Sequence, residues 1–275
     1  MTDQEVFGPA RRPARPARAR KAAVAIAQSI VDEITDRGHP PGTKLPAEHE
    51  MVSRFGVGRA TLRESLRFLE LNGIIMLKPG PSGGPIVMAP DARNLAGILG
   101  LFLQLHPTPF SVIVEAREIL EPITARMAAG RVDEETLRVL QSSIEGMVRY
   151  IDDEEAFLIE NERFHEAVAN ASGNTLFSLL ISSMHLITDG MQIGVTYPLK
   201  RRRAVLKAHE AIYAAIAAGD PNSAEESMRQ HMAEFRRYVE RNFASVYEKR
   251  LRWSDVAPCP RTAMAGRPLS RDAVR

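Results

Sequence analysis

Residues 42–73 read GTKLPAEHEMVSRFGVGRATLRESLRFLELNG, and the breaks within this stretch decide the fold. Pro46 opens a short helix from Ala47 to about Phe55, and Gly56-Val57-Gly58 interrupts it. A second helix is predicted from Arg59 to about Asn72. Leu62, Leu66, Leu69 and Leu71 fall largely on its inner side, and Gly73 closes it. Upstream, Val24, Ile26, Ala27, Ile30, Val31 and Ile34 recur at helical spacing until Gly38 and Pro40-Pro41 stop the run. Downstream, two short extended stretches, 74–78 and 85–88, flank Gly80–Gly84 (GPSGG), which suits a tight turn with positive φ. Helix, helix-turn-helix, then hairpin is the order of a winged helix-turn-helix, predicted over residues 21–89.

The flanks differ from this unit. Residues 1–20 are rich in Pro, Ala and Arg without apolar periodicity, and read as a flexible basic arm. Residues 90–109 read as a linker and connecting helix. From there to residue 247 every long segment is helical in pattern, with breaks at Ser172-Gly173-Asn174 and Gly219-Asp220-Pro221. No strand pattern appears, so the fold class is mainly α, with an all-α helical bundle over 110–247. Residues 248–275, with Pro258, Pro260, Gly266 and Pro268, read as a disordered basic tail.

Composition narrows the function. The 275 residues carry 36 Lys+Arg and 34 Asp+Glu, a formal charge of +2 that names no partner. Counted by segment, the net charge is +4 over 1–96, −6 over 97–243 and +4 over 244–275. The basic front is a mild sign of nucleic-acid contact. One cysteine, Cys259, rules out an internal disulfide framework and any CxxC site, as befits a reducing cytosol. No apolar run reaches the roughly 18 residues of a membrane span, so a cytoplasmic chain with no membrane partner is expected.

A recognition helix must bring N-terminal side chains to base edges while basic groups hold phosphates. Arg59 starts the second helix, Arg63 lies one turn on, and Thr61 and Ser65 add short hydroxyls. Arginine bonds guanine O6 and N7 together, the commonest specific major-groove contact. Arg54 and Arg67 suit phosphates, and the glycines of the wing tip, Gly83 and Gly84, let backbone approach DNA. A lone Arg-x3-Arg is ordinary on a solvated helix; the helix-turn-helix and hairpin around it make the difference.

The LPAE, FGV, TLRE and LR-LE-NG pieces of residues 42–73 stand in register with the DNA-binding domain of GntR-family transcription regulators, which the stretch closely resembles. The resemblance implies that Arg59, Thr61 and Arg63 face bases and phosphates. Two positions depart from the pattern. His49 stands where the family often has Arg, which makes one DNA contact weaker or pH-dependent. Gly58 replaces a Ser or Thr, a tolerable N-cap that removes a possible hydroxyl contact.

In the bundle, His165, His209 and His231 sit on the inward faces of three separate helices. Burying three imidazoles costs free energy unless each finds a partner, and a shared metal would satisfy all three. Taken singly, each is more often a core or surface residue than a ligand. The pieces around Arg117–Glu121, Asn161–Asn174, His209–Asp220 and Ala224–His231 resemble the FCD ligand-binding domain of the FadR branch of this family. That resemblance implies a divalent metal held by His165, His209 and His231, with Asn161 in a slot usually acidic. An amide is a poorer ligand than a carboxylate, which favours Zn²⁺ or Ni²⁺ held chiefly by nitrogen, or leaves Asn161 to orient the effector. The effector implied is a small organic or sugar acid. Arg117 is the first candidate for its carboxylate. His185 is a candidate pocket residue. The run Lys200–Arg203 fits a solvated face, and Arg203 is kept as a further candidate contact.

The expected function is a homodimeric, effector-modulated repressor on a pseudo-palindromic operator in double-stranded DNA. Alternatives are a metal-responsive regulator and a metal-dependent hydrolase. Against the hydrolase, HExxH, P-loop and GxGxxG are absent, and no acid–base carboxylate pair lies near the histidines.

Overall fold

The computed structural model describes residues 17–80, 83–89, 91–188 and 194–253, with side chains from Lys21 onward. Two compact units divide after Asp91. In the first, α1 (Ala17–Asp36) is followed by α2 (Glu48–Phe55), α3 (Arg59–Leu71), β1 (Ile75–Lys78) and β2 (Gly84–Val87). The α1 helix starts four residues earlier than the periodicity indicates, because Ala17-Arg18-Ala19-Arg20 are good helix formers needing no apolar face. The rest of the expected basic arm, and all but the first residues of the expected tail, lie outside the described residues.

Gly56 ends α2 in a left-handed conformation (φ +62°), and Gly58 then enters α3 with extended backbone. On α3, Leu62, Leu66 and Leu69 are buried against Ile26, Ala27, Ile30 and Met51. Leu71, expected inside, is 82% exposed, since two residues beyond Leu69 is about 200° around the helix. The hairpin pairs Ile75 with Val87 and Lys78 with Gly84, antiparallel. Lys44 bridges to Ile86, so the α1–α2 connection adds to the hairpin's outer edge.

The second unit is a helical bundle: α4 (Ala92–Leu105), α5 (Ser111–Ala129), α6 (Glu134–Arg149), α7 (Glu154–Ala171), α8 (Thr175–Thr188), α9 (Leu199–Ala217), α10 (Pro221–Asn242) and α11 (Ala244–Tyr247). Asp133, Asp153 and Asp220 each accept backbone N–H bonds at the starts of α6, α7 and α10, and Pro221 takes the first turn of α10. Buried Phe157, Phe164, Leu140, Met147, Ile181 and Ile212 anchor the core. The α5 helix packs chiefly on α10, and α6 on α7.

Two expectations change. The expected connecting helix is present as α4, and it belongs with the bundle: Ala96 and Gly100 are buried and it packs on α8. Residues 248–253 are not a free tail. Phe110 N–H bonds Lys249 O (2.9 Å), Leu251 N–H bonds Thr108 O (3.1 Å), and Leu251 is buried. A pairing this short leaves no periodicity to read. None of the described helices is long and apolar enough to cross a membrane.

Candidate DNA-reading face and imidazole-lined cavity

On α3 the helical repeat puts Arg59, Arg63 and Arg67 on one exposed face at four-residue spacing. Arg63 is held through Nε by Glu48 on α2 (2.9 Å), which orients its guanidinium. Arg54 bonds Glu33 of α1 (2.8 Å), so it must exchange that carboxylate for any phosphate. Thr61 is half-buried beside these arginines, and His49 is exposed on α2. Ser65 is excluded from the reading face: it is fully buried and its hydroxyl donates to Thr61 O (3.0 Å). At the wing, Gly84 has φ +129°, and a Cβ on Gly83 would lie 2.1 Å from Lys78 O. Only glycine fits there, and its N–H bonds Gly80 O (2.9 Å).

In the bundle, α7, α9 and α10 bring His165, His209 and His231 together. The His231 Nε2 lies 3.3 Å from both His209 Nε2 and His165 Nε2. All three rings are buried. Burial, then the neighbouring imidazoles, holds His209 and His231 well below the ordinary histidine range, so both are neutral. Phe164 stacks on His209 at 4.1 Å, and Met147 Sδ lies 3.3 Å from its Nδ1. His165 turns Nδ1 to Glu121 Oε2 of α5, a contact that fixes the ring's orientation and points Nε2 at His231.

This donor set fits a divalent cation. Zinc–nitrogen bonds of about 2.0–2.1 Å arranged tetrahedrally set their nitrogens about 3.3–3.4 Å apart, the spacing that His231 Nε2 keeps to both neighbours. Asn161, one turn before His165, lines the same cavity and has no hydrogen-bond partner among the described residues. A second convergent set is formed by Glu121, His165 and His185. Its donors are already used. Arg117 Nε bonds Glu121 Oε1 (2.6 Å), Nη1 bonds Thr188 Oγ1 (2.8 Å), and Nη2 meets His185 Nε2 (2.8 Å). Burial of Glu121 is outweighed by Arg117, His165 and His185, which together keep its carboxyl well below the usual range. His185 is pushed down to about 3, first by burial and then by Arg117, and so stays neutral.

The cavity beside these groups has a volume of about 290 Å³, with Arg117, Asn161, His165, His185, Arg201 and His231 among its walls. Two of the sequence-based assignments shift. Arg117 lines the cavity, but its guanidinium is satisfied by Glu121, Thr188 and His185, so it is not an open carboxylate receptor. Arg203 is exposed and lines no part of the cavity. Its neighbour Arg201 does, because α9 turns about 200° between the two. Glu121 went unassigned, although a carboxylate at the inward spacing of Val114, Arg117 and Ala125 was a readable signal.

An exposed arginine helix with a glycine wing and a bundle with a polar buried cavity define a DNA-binding regulator with a ligand-sensing domain. The chain belongs to the gntR family of bacterial regulatory proteins. That family's model matches residues 22–82, and the FCD domain model matches residues 112–234. The HTH-type transcriptional regulator YcbG of Bacillus subtilis is 30% identical over 212 residues, covering 75% of this chain and 85% of the relative. The transcriptional repressor NanR of Escherichia coli is 26% identical over 236 residues, covering 79% of this chain and 84% of the relative. A solved GntR structure from Streptococcus agalactiae superposes with a TM-score of 0.59 at 26% identity, covering 78% of this chain and 99% of that one.

Proposed function

We propose that this regulator is a homodimeric repressor whose operator affinity is lowered by a small carboxylic acid bound in the FCD cavity beside a Zn²⁺ or Ni²⁺ site. The observation that carries the reading is the meeting of three buried imidazoles, with His231 Nε2 at 3.3 Å from both other Nε2 atoms, where His165 and His231 line a cavity. His165, His209 and His231 would hold the ion and Asn161 would complete or orient its open side. The ion would supply a Lewis-acidic centre that draws a carboxylate oxygen. The residues themselves position and desolvate the acid: Leu158, Val205, Met232 and Phe235 exclude water.

On the DNA side, Arg59, Thr61 and Arg63 read bases. Arg54, Arg67 and His49, with the backbone of Gly83 and Gly84, hold phosphates. A pseudo-palindromic operator follows from two such faces related by a dimer axis. Ile98, Leu101, Phe102 and Leu105 support dimerisation: they form a stripe along α4, and each is more than 40% exposed. Fluorescence anisotropy on an operator fragment tests the reading. Acid with zinc should weaken binding, and chelator at constant acid should restore it. Affinity that follows zinc alone, with no response to any acid, would instead make the ion itself the signal.

A further inference from the structure

Lys200 and Arg201-Arg202-Arg203 look like one basic run, yet the three arginines do different things. Arg203 points to solvent. Arg202 is buried and donates to three backbone carbonyls, Ile151 O (2.7 Å), Tyr197 O (2.7 Å) and Asp152 O (3.4 Å), tying α9 to the α6–α7 connection. Arg201 lines the cavity, and its Nε and Nη2 are buried with no hydrogen-bond partner among the described residues.

Those two nitrogens form one edge of the guanidinium. Their N–H bonds run parallel and match the two oxygens of a carboxylate. The Tyr238 ring, 4.7 Å from the guanidinium carbon, holds the plane of the group. Tyr238 is itself fixed by its hydroxyl on Thr196 O (2.6 Å). A desolvated donor pair without an acceptor is costly, and such costs persist where a ligand removes them. The contrast with Arg117 is direct: every nitrogen of that guanidinium already has an acceptor inside the protein.

We propose that the Nε/Nη2 edge of Arg201 is the carboxylate fork of the effector site, and that the ligand is a small acid lying between Arg201 and the imidazole wall. The assignment rests on the reading of the cavity as an acid-binding site, and it replaces Arg117 as the carboxylate contact. The chemistry required is a planar carboxylate on Arg201 and a body small enough for about 290 Å³.

Isothermal titration of the full-length, zinc-loaded protein with a panel of small mono- and dicarboxylates, each paired with its uncharged carboxamide, tests it. In the unchanged chain at least one acid binds and its amide binds far more weakly. Arg201→Met lowers affinity for that acid by roughly 10- to 100-fold and erases the acid–amide difference. Arg201→Lys, which keeps charge but loses the fork, falls between. Arg203→Met leaves acid affinity unchanged. Without acid, the thermal midpoint of Arg201→Met equals or exceeds that of the unchanged chain, because an unpaired buried edge has been removed; a merely structural arginine would lower it. Acid binding that survives Arg201→Met undiminished overturns the fork while leaving the acid site standing. If no acid in the panel binds the unchanged chain, both fall together.

Discussion

The two units of this chain keep their working polar groups in opposite ways. On α3 the arginines stand in solvent, and Arg63 has a single partner, Glu48. In the bundle, Arg117, Glu121, His165 and His185 are buried and each touches at least two of the others or their neighbours. Exposed groups can be removed one at a time at small cost to folding, because water takes the vacated place. Buried ones are coupled, so losing one strands its partners without solvent. Binding long charged DNA suits the first arrangement, and enclosing a small ligand suits the second.

The largest expected effect tests that coupling. Glu121→Ala leaves Arg117 charged and unpaired in the core, and should destabilise the bundle by about 3–5 kcal/mol in urea unfolding followed by circular dichroism. A loss below about 1 kcal/mol would break the contrast between the units. The milder Glu121→Gln keeps shape while weakening the hold on His165 Nδ1. Zinc affinity measured by competition with a chelating dye should then fall about 10- to 100-fold.

Arg63→Ala should act on function and leave stability nearly unchanged. Discrimination between operator and scrambled DNA should drop by about 1–3 kcal/mol, with the urea midpoint essentially constant. A large midpoint shift would mean that Arg63 holds the fold as well as reading DNA. Substituting Arg54, by contrast, should weaken all DNA sequences alike and flatten the salt dependence.

The smallest effect is one of pH. The hydrogen bond from Arg54 is the main cause that holds the Glu33 carboxyl below its ordinary 4.5, opposed by burial and helped by the charges of Arg54 and Arg37. A carboxyl depressed on folding adds stability above its unfolded pKa and loses it as pH falls through the folded one. The unfolding midpoint of Glu33→Gln should therefore approach that of the unchanged chain as pH drops below about 4.5. A gap that persists at pH 3 would show that the ion pair is not the source.

The helix-turn-helix was legible because its signals are local. Gly56-Val57-Gly58 breaks the chain within 32 residues of GTKL…LNG, and Leu62, Leu66 and Leu69 mark an inner face by spacing alone. The same spacing put His165, His209 and His231 inward, each on its own helix. Local periodicity was weaker at the ends of such faces. It placed Leu71 inside and Ser65 at the DNA surface, where the fold has each the other way round.

What the sequence by itself determined, then, is the set of helices, the winged reading head and the inward direction of three imidazoles, since each depends on residues within a few turns of one another. Only the tertiary structure decided that His231 Nε2 sits 3.3 Å from the other two, that Glu121 reaches His165 across 44 residues, and that Arg117 is already satisfied. It also decided which of three consecutive arginines faces the cavity. Each of these turns on a rotation of 100° per residue combined with the packing of a neighbouring helix. A run of identical residues carries no record of that neighbour, and so no preference for Arg201 over Arg203.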